Sequence, residues 1–346
     1  MPWEPPANPA EQRRARIGQW VSFGLAAALV ALLAYLGYVG FIGSDQLTAA
    51  PTPATGCGTP ADLDLAYEAL NYEIATDTEL AAHPDHANCP SQGAPAGDAL
   101  RTGDGVRLAG WYVPAANGIG PSGPTVVLLH GWSSNKSDML DLVDLLAPTY
   151  NVVAFDLRNH GQSSNERPTT QGVTEQRDLD TVLDWLEANK SPSRVALLGV
   201  SMGGVTALGV AIHDDRVAAV IVDSTHPTLQ AAVQARVERA GYPLSLPASW
   251  SILMGGLLRT GVDMTSVDPD RAIGQLGDRP VLILVGGADD SLGPEPGARL
   301  KAAADQADVD AELEICPAAG HAGLVGACPD DYRAWVLGFL DSALGS

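Results

Sequence analysis

Ser201 lies in a pentapeptide whose residue types and spacing suit a catalytic nucleophile. The pentapeptide Gly199–Gly203 (GVSMG) follows the apolar run Val195–Leu198 and precedes a helical pattern at Val205–Ile212. A strand, a tight turn and a helix are therefore expected, with glycines at both ends of the turn because side chains there would collide. The helix N-terminus would then face any oxyanion that forms at the serine.

A serine hydroxyl is a weak nucleophile at neutral pH, so it needs a base and a carboxylate that orients that base. His321 supplies an imidazole within Ala319–Gly323 (AGHAG), after the apolar run Ala311–Ile315, and its small neighbours would let the ring reach Ser201. Two adjacent aspartates, Asp289 and Asp290, follow another apolar run. The order serine, aspartate, histidine differs from that of the two main serine protease families.

At Val126–Trp132 (VVLLHGW), a predicted strand ends in His-Gly, and here the chain resembles the α/β-hydrolase superfamily. The resemblance covers about residues 100–344. It implies that the backbone amides of Trp132 and Met202 form an oxyanion hole. It also implies that His130 and Gly131 support this loop without taking part in the chemistry.

The same resemblance selects the acid. The family commonly carries Gly-x-x-Asp followed four residues later by proline, and Gly287–Pro294 matches this spacing with Asp290. We therefore predict Asp290 as the acid and Asp289 as the competing candidate, whose alternative role is that of a turn or cap residue. The opening segment Asp104–Pro114 resembles the membrane-associated esterase and serine-aminopeptidase-like branch.

Apolar, β-branched runs alternate with amphipathic stretches from about residue 100 onward, which predicts a mostly parallel central sheet with helices on both faces. We expect residues 100–346 to form an α/β-hydrolase domain. Residues 224–279 are too long for a simple crossover and are interpreted as a small helical lid. The alternative is a crossover helix with a decorated loop.

The N-terminal segment has the composition of a membrane anchor. Trp20–Ile42 is uncharged, is long enough to cross a bilayer, and follows three basic residues, Arg13, Arg14 and Arg16. We expect residues 1–19 to be a cytoplasmic tail and 20–42 a transmembrane signal anchor, with the catalytic domain outside the cell membrane. A signal peptide cleaved near Thr48–Ala50 and a buried core helix are the alternatives.

Residues 43–60 are rich in Thr, Ala and Pro and are predicted to be a linker. Residues 61–99 are predicted to hold an accessory helix (62–82) and a disulfide-bearing segment. The chain has four cysteines, an even number that suggests two disulfides in an extracytoplasmic domain. The nearest-neighbour pairing is Cys57–Cys89 and Cys316–Cys328, and the second pair would bracket His321.

The formal net charge of −21 argues against nucleic-acid binding, because an acidic surface repels phosphate backbones. The pattern His83-Pro-Asp85-His86 near Cys89 superficially resembles a metal cluster, but its proline and the expected disulfide disfavour one. The sequence implies neither a metal nor a cofactor.

Together these features predict a membrane-anchored serine hydrolase of the carboxylesterase or lipase type, acting on a small-molecule ester or acyl substrate through an acyl-enzyme on Ser201. The apolar lid segment 252–258 favours a hydrophobic substrate. Peptidase or aminopeptidase-like activity and acyl transfer need the same triad and remain alternatives. A non-catalytic anchored binding scaffold is a further alternative.

Overall fold

The computed structural model describes residues 8–49, 57–70, 100–164 and 167–345. Its centre is an eight-stranded sheet in the order β1-β2-β4-β3-β5-β6-β7-β8, in which β1 and β2 are antiparallel and the other strands are parallel to one another. The strands are β1 (Glu68–Leu70), β2 (Gly110–Val113), β3 (Thr125–Leu129), β4 (Asn151–Phe155), β5 (Val195–Val200), β6 (Val217–Asp223), β7 (Val281–Gly286) and β8 (Ala311–Cys316). This is the predicted mostly parallel sheet.

Helices cover both faces of the sheet. The α-helices of the described ranges, including three that pack apart from the sheet, are α1 (Pro9–Thr48), α2 (Leu140–Leu146), α3 (Gln176–Asn189), α4 (Met202–Ala211), α5 (Leu229–Arg239), α6 (Ser245–Thr260), α7 (Pro269–Ile273), α8 (Glu295–Gln306), α9 (Leu324–Ala327) and α10 (Pro329–Leu344). Successive strand residues face opposite sides, so Val127 and Leu129 join one apolar cluster while Val126 and Leu128 join the other. This alternation explains why the inner strands are apolar throughout.

The segment between β6 and β7 contains three helices, which pack into two different apolar clusters. α5 and α6 share a separate apolar cluster, which includes Val233, Val237 and Ile252 and also takes Val39 from α1. α7 instead contributes Ile273 to a cluster of the sheet. Of the lid predicted for residues 224–279, the part that lies apart from the sheet is therefore the α5–α6 pair, which we call the cap.

The N-terminal helix is longer than the sequence pattern predicts. Within it, Gln12–Thr48 is long and apolar enough to cross a membrane, with a mean hydropathy of 2.2 in its most apolar window. The side chains of described residues up to Ala34 are exposed, whereas the part from Tyr35 to Thr48 packs against α6. The linker predicted for 43–60 is wrong over 43–48, because these residues continue the helix.

Tertiary contacts explain this extension. The backbone N–H of Thr169 donates to the carbonyl oxygen of Thr48 at 3.2 Å, and the side-chain amide of Gln171 donates to that of Leu47 at 2.9 Å. Two carbonyl groups of the last helical turn are thereby satisfied by the loop between β4 and α3.

The accessory helix predicted for 62–82 is also wrong in its described part, and residues 71–82 lie outside the described ranges. Pro60–Leu63 form a single 3₁₀ turn, capped where Asp62 accepts a hydrogen bond from the backbone N–H of Thr59 at 2.7 Å. Asp64 then adopts a left-handed backbone conformation (φ 57°), which ends the turn. The chain continues into β1, which pairs with β2 at the edge of the sheet.

Candidate active site

Ser201 occupies a sharp turn between β5 and α4. Its backbone has φ 54° and ψ −114°, a strained conformation for a residue with a side chain. A Cβ atom on Gly199 would lie 2.4 Å from the backbone of Gly203, and one on Gly203 would lie 2.2 Å from the carbonyl oxygen of Leu129. Both glycines are therefore required, although at 203 the obstacle is the end of β3 and not the opposite side of the turn.

His321 lies in the loop after β8, and its Nε2 atom is 3.1 Å from the Oγ atom of Ser201. The backbone N–H of the next residue, Ala322, donates to the hydroxyl oxygen of Ser224 at 3.0 Å. This contact ties the histidine loop to the end of β6. The structure thus brings together two side chains that are 120 positions apart in the chain.

The carboxylate that contacts His321 belongs to Asp289, so the assignment of the acid to Asp290 is wrong. Oδ2 of Asp289 lies 2.8 Å from Nδ1 of His321, and Asp289 is buried while Asp290 is exposed. The physical reason is where the strand stops. β7 ends at Gly286, so the three-residue spacing of Gly-x-x-Asp counts from Gly286, not from Gly287.

Asp289 is also held by backbone groups. Its Oδ1 atom accepts hydrogen bonds from the backbone N–H groups of Ser291 at 2.7 Å and Leu292 at 2.9 Å. Burial alone would raise the pKa of Asp289, but the hydrogen bond with His321 and these two amides lower it below its ordinary value. The carboxylate is therefore ionised at neutral pH and suited to hold an imidazole N–H.

The two amides expected to form an oxyanion hole belong to Met202, which follows Ser201 in the chain, and to Trp132, which follows a residue packed against Ser201. Met202 is the first residue of α4, where an N–H group has no carbonyl one turn earlier in the helix. Trp132 follows Gly131, whose backbone is so close that a Cβ atom there would lie 3.3 Å from the Cβ of Ser201. Their use as an oxyanion hole stays a prediction.

His130 is buried in the position expected of a structural residue. Its Nδ1 atom lies 2.8 Å from the carbonyl oxygen of Gly131, and its Nε2 atom accepts a hydrogen bond from the backbone N–H of Leu157 at 3.0 Å. Burial, assisted by the neighbouring His160, lowers the pKa of His130 to about 3. The ring is therefore neutral, with the proton on Nδ1, and it connects the β3 loop to the loop after β4.

Sequence reasoning missed a buried polar group beside the histidine loop. Asp223, the last residue of β6, accepts hydrogen bonds from the hydroxyl groups of Ser224 at 2.8 Å and Tyr332 at 3.1 Å. Burial raises the pKa of Asp223 to about 6, against the lowering effect of both hydroxyl groups. The signal was available, since Asp223 and Ser224 directly follow an apolar strand at the edge where the other site residues converge.

The predicted disulfide Cys316–Cys328 is present. Cys316 ends β8 and Cys328 precedes α10, so the bond closes the loop that carries His321. Cys89 lies outside the described residues, and the predicted pair Cys57–Cys89 stays a prediction. His83, Asp85 and His86 also lie outside the described residues. Within the described ranges, no cluster of three or more metal-ligating side chains occurs.

A cavity of about 290 Å³ leads from Ser201 and His321 into the space under the cap. The cap helix α5 contributes Leu229, Val233 and Val237 to its wall. A second part of the wall is unexpected, because it comes from the N-terminal helix α1 (Tyr38, Val39, Ile42, Gly43, Gln46 and Leu47). The end of the predicted anchor and the start of the predicted linker therefore also line the candidate active site.

Comparison with known proteins agrees with this architecture. Residues 126–335 match the model of the alpha/beta hydrolase family. The uncharacterized protein Rv2307c of Mycobacterium tuberculosis is 31% identical over 225 residues, which are 64% of this chain and 70% of that protein.

Two solved structures share the fold. The esterase Pf2001 of Pyrococcus furiosus has a TM-score of 0.65 at 23% identity, covering 86% of this chain and 99% of its own. A membrane phospholipase A described as a bacterial virulence factor has a TM-score of 0.55 at 16% identity, covering 96% of this chain and 100% of its own. With more than half of its length matched by the family model, this chain belongs to the alpha/beta hydrolase family.

Proposed function

We propose that this protein is a serine hydrolase that cleaves carboxylic esters through an acyl-enzyme on Ser201. The observation that carries the proposal is the continuous hydrogen-bonded series from Ser201 Oγ through both ring nitrogens of His321 to Asp289, with distances of 3.1 and 2.8 Å. Asp289 accepts a hydrogen bond from the Nδ1–H group of His321, which leaves the lone pair of Nε2 facing the serine hydroxyl. This is the tautomer that a general base requires.

The proposed reaction has two halves. As Ser201 Oγ bonds to the ester carbonyl carbon, its proton moves to Nε2 of His321, and the carbonyl oxygen becomes an oxyanion. The intermediate then collapses, the bond to the alcohol oxygen breaks, and His321 gives its proton to the departing alcohol. Water next attacks the acyl carbon while His321 takes one of its protons. The bond between the acyl carbon and Ser201 Oγ then breaks, His321 gives the proton to Oγ, and the acid is released.

The amides of Trp132 and Met202 are proposed to stabilise the oxyanion, since Met202 follows Ser201 in the chain and Trp132 follows Gly131, which packs against Ser201. The N-terminus of α4 adds a favourable dipole at the same point. One such donor contributes roughly 3–4 kcal/mol to the transition state in other serine hydrolases. Only interactions that strengthen as the negative charge develops will raise the rate.

Ester cleavage is supported by the apolar character of the cavity, which suits an acyl group. The P. furiosus esterase and the membrane phospholipase A share the fold of this chain, and the activity named for each is ester hydrolysis. Their identity to this chain is low, so the cavity is the stronger support.

The same reasoning extends to location. We propose that α1 is an uncleaved, single-pass anchor, with the N-terminus in the cytoplasm and the catalytic domain outside. Arg13, Arg14 and Arg16 precede the apolar stretch, which favours this orientation. The Cys316–Cys328 disulfide favours an oxidising compartment. Cleavage near Thr48–Ala50 would remove one wall of the cavity, which argues against a signal peptide.

A fluorophosphonate probe tests the proposed nucleophile. We expect the probe to label the wild-type protein at Ser201, and we expect the wild type to hydrolyse p-nitrophenyl acetate. Ser201→Ala should abolish both signals. Ser193→Ala, which removes an exposed hydroxyl group just before β5 and outside the series, is the matched control and should keep the labelling. Unchanged turnover in Ser201→Ala would reject the assignment.

A further inference from the structure

We propose that the substrate is a glycerophospholipid of the bilayer that α1 crosses, and that one of its acyl chains reaches Ser201 along a wall formed by α1. This inference rests on the proposed function, to which it adds the substrate class and the route of entry.

The first support is the close packing of α1 on the cap helix α6. A Cβ atom on Gly40 would lie 2.4 Å from Oγ of Ser251, and one on Gly255 would lie 2.7 Å from the carbonyl oxygen of Gly40. Small residues on both helices thus let the two backbones approach, as they do between helices in membranes. At one end of the contact, Arg259 donates to the hydroxyl of Ser44 at 2.8 Å. α1 is therefore seated on the cap as part of the active-site structure.

The second support is the depth in the bilayer at which α1 and α6 make this contact. The apolar stretch of α1 is 23 residues long, or about 34 Å, which slightly exceeds the hydrocarbon core of a bilayer. The hydroxyl of Ser251 donates to the carbonyl oxygen of Leu36 at 2.6 Å. Leu36 lies six residues before the end of this stretch, or about 9 Å along the helix. The side of α6 that contacts α1 is therefore at the level of the outer leaflet.

The third support is an apolar stripe on α6 that the protein leaves uncovered. Leu246, Trp250, Met254 and Leu258 recur every four residues, so they lie along one side of the helix, and their side chains are 51–80% exposed. The buried residues of the helix, which include Ala248 and Ile252, lie elsewhere around it. A stripe of this kind beside a membrane-spanning helix suits contact with lipid, because exposed apolar surface in water is unfavourable.

The cavity connects this membrane-level surface with the site. Tyr38 and Ile42 belong to the apolar stretch of α1, are 63% and 39% exposed, and also line the cavity that contains Ser201 and His321. An acyl chain lying beside α1 in the outer leaflet therefore has an apolar surface to follow toward the serine. The chain therefore does not have to pass through water, where exposure of its apolar surface would cost free energy.

The positive charges that line the cavity favour a head group that carries a phosphate. Among the described residues that line it, Arg236 and Arg239 are the only ones with a full charge at neutral pH, although the whole chain has a net charge of −21. The guanidinium carbon of Arg236 lies 5.2 Å from the ring centre of Trp132, next to the proposed oxyanion hole. A cation that lines the same cavity as Ser201 suits an ester that carries a phosphate.

The test uses the full chain in vesicles of dioleoyl phosphatidylglycerol, with oleate release and p-nitrophenyl acetate hydrolysis measured on the same preparation. Ile42→Trp fills part of the α1 wall and should lower the ratio of oleate release to acetate hydrolysis by about tenfold, as expected when an acyl chain loses room for two methylene groups. Leu33→Trp is the matched control. It lies nine residues earlier, on the opposite side of α1, and should keep the ratio within about twofold.

The outcomes separate the two proposals. A wild type that hydrolyses p-nitrophenyl acetate and binds the fluorophosphonate but releases no oleate would overturn the lipid inference alone. An Ile42→Trp ratio equal to that of Leu33→Trp would also overturn it. Failure of the wild type on both substrates and on the probe would reject the serine hydrolase itself.

Photolabelling gives a readout that does not depend on turnover. Ser201→Ala protein would be placed in the same vesicles with a phosphatidylglycerol that carries a diazirine at the end of one acyl chain. Label on Val233 or Val237 of α5 is expected, because these side chains are buried from the protein surface and line the cavity. Label confined to the lipid-facing residues of α1 and α6 would mean that the chain does not enter.

Discussion

Oδ2 of Asp289 lies 2.8 Å from Nδ1 of His321, while the next residue along the chain, Asp290, is exposed to solvent. Two adjacent carboxylates thus have separate environments. The buried carboxylate of Asp289 also accepts hydrogen bonds from two backbone N–H groups, so both its position and its charge are set before a substrate binds. This arrangement orients the imidazole of His321 toward Ser201.

Exchanging each aspartate for asparagine tests the assignment of the acid. Asp289→Asn should lower kcat/KM for p-nitrophenyl acetate by about 10³–10⁴, because an amide no longer holds the reactive tautomer of His321. Asp290→Asn, the matched control, should stay within about twofold, since its side chain is exposed. The reverse ranking in steady-state kinetics would restore Asp290 as the acid.

The pH dependence of stability tests the buried state of Asp223. Its pKa in the folded protein, about 6, is above its ordinary value of 3.8, so the folded state binds the proton more tightly than the unfolded chain does. The stabilisation is complete below pH 3.8 and is lost as the pH rises through 6, by about 3 kcal/mol in total. Urea unfolding between pH 4 and 7 should show this loss in the wild type.

The matched variant for this prediction is Asp223→Asn, which keeps a hydrogen-bond acceptor without a titrating group. Relative to the wild type, it should gain stability as the pH rises from 4 to 7. Parallel curves for the two proteins over this range would show that Asp223 is ionised throughout.

The disulfide of the histidine loop should contribute both stability and activity. Replacing Cys316 and Cys328 together by serine opens a loop with a sequence separation of 12 residues and should cost about 3 kcal/mol of unfolding free energy. It should also lower kcat, since His321 lies within that loop. The measurements are chemical unfolding and kinetics of the double variant. The double alanine variant should behave like the double serine variant, and a difference between the two would point to an effect of the serines themselves.

Two glycine substitutions should have opposite effects on stability. Gly203→Ala places a Cβ atom 2.2 Å from the carbonyl oxygen of Leu129, so the turn or β3 must move and folding should weaken by several kcal/mol. Gly338→Ala lies in α10 with no atom within 4 Å of the added methyl group, and it should stabilise the protein by about 1 kcal/mol. Thermal or urea unfolding measures both. Equal effects would contradict the close approach of α4 to β3.

Arg236 provides a test of the head-group preference. Arg236→Gln should slow hydrolysis of phosphatidylglycerol about five- to tenfold relative to a neutral diacylglycerol in the same vesicles, as expected for the loss of one charge-assisted contact. Arg333→Gln on the exposed side of α10 removes the same charge outside the cavity and controls for net charge. If both variants show the same ratio, Arg236 does not contact the head group.

Much of the sheet and part of the site were predictable from local pattern. The inner strands are apolar throughout because both faces are covered by helices, and this property is visible in the sequence. The elbow at Ser201 was predictable because a turn so tight excludes side chains at Gly199 and Gly203. The position of His321 after the last strand and the Cys316–Cys328 pair followed from order and spacing along the chain.

Spacing could not separate Asp289 from Asp290, because Gly286 and Gly287 offer two equivalent starting points. The decision depended on where β7 stops and on which carboxylate the backbone amides of Ser291 and Leu292 can reach. Both depend on how the loop folds back onto the sheet.

The amino-acid sequence alone predicted the family, most of the sheet, a candidate nucleophile and an apolar segment long enough for a membrane, because each depends on residues that are neighbours in the chain. Only the tertiary structure decided which aspartate faces His321 and that Tyr38 and Ile42 of that apolar segment line the cavity of Ser201. Those relationships depend on packing between segments that lie far apart in the chain, such as Gly40 against Ser251, and no local pattern encodes them.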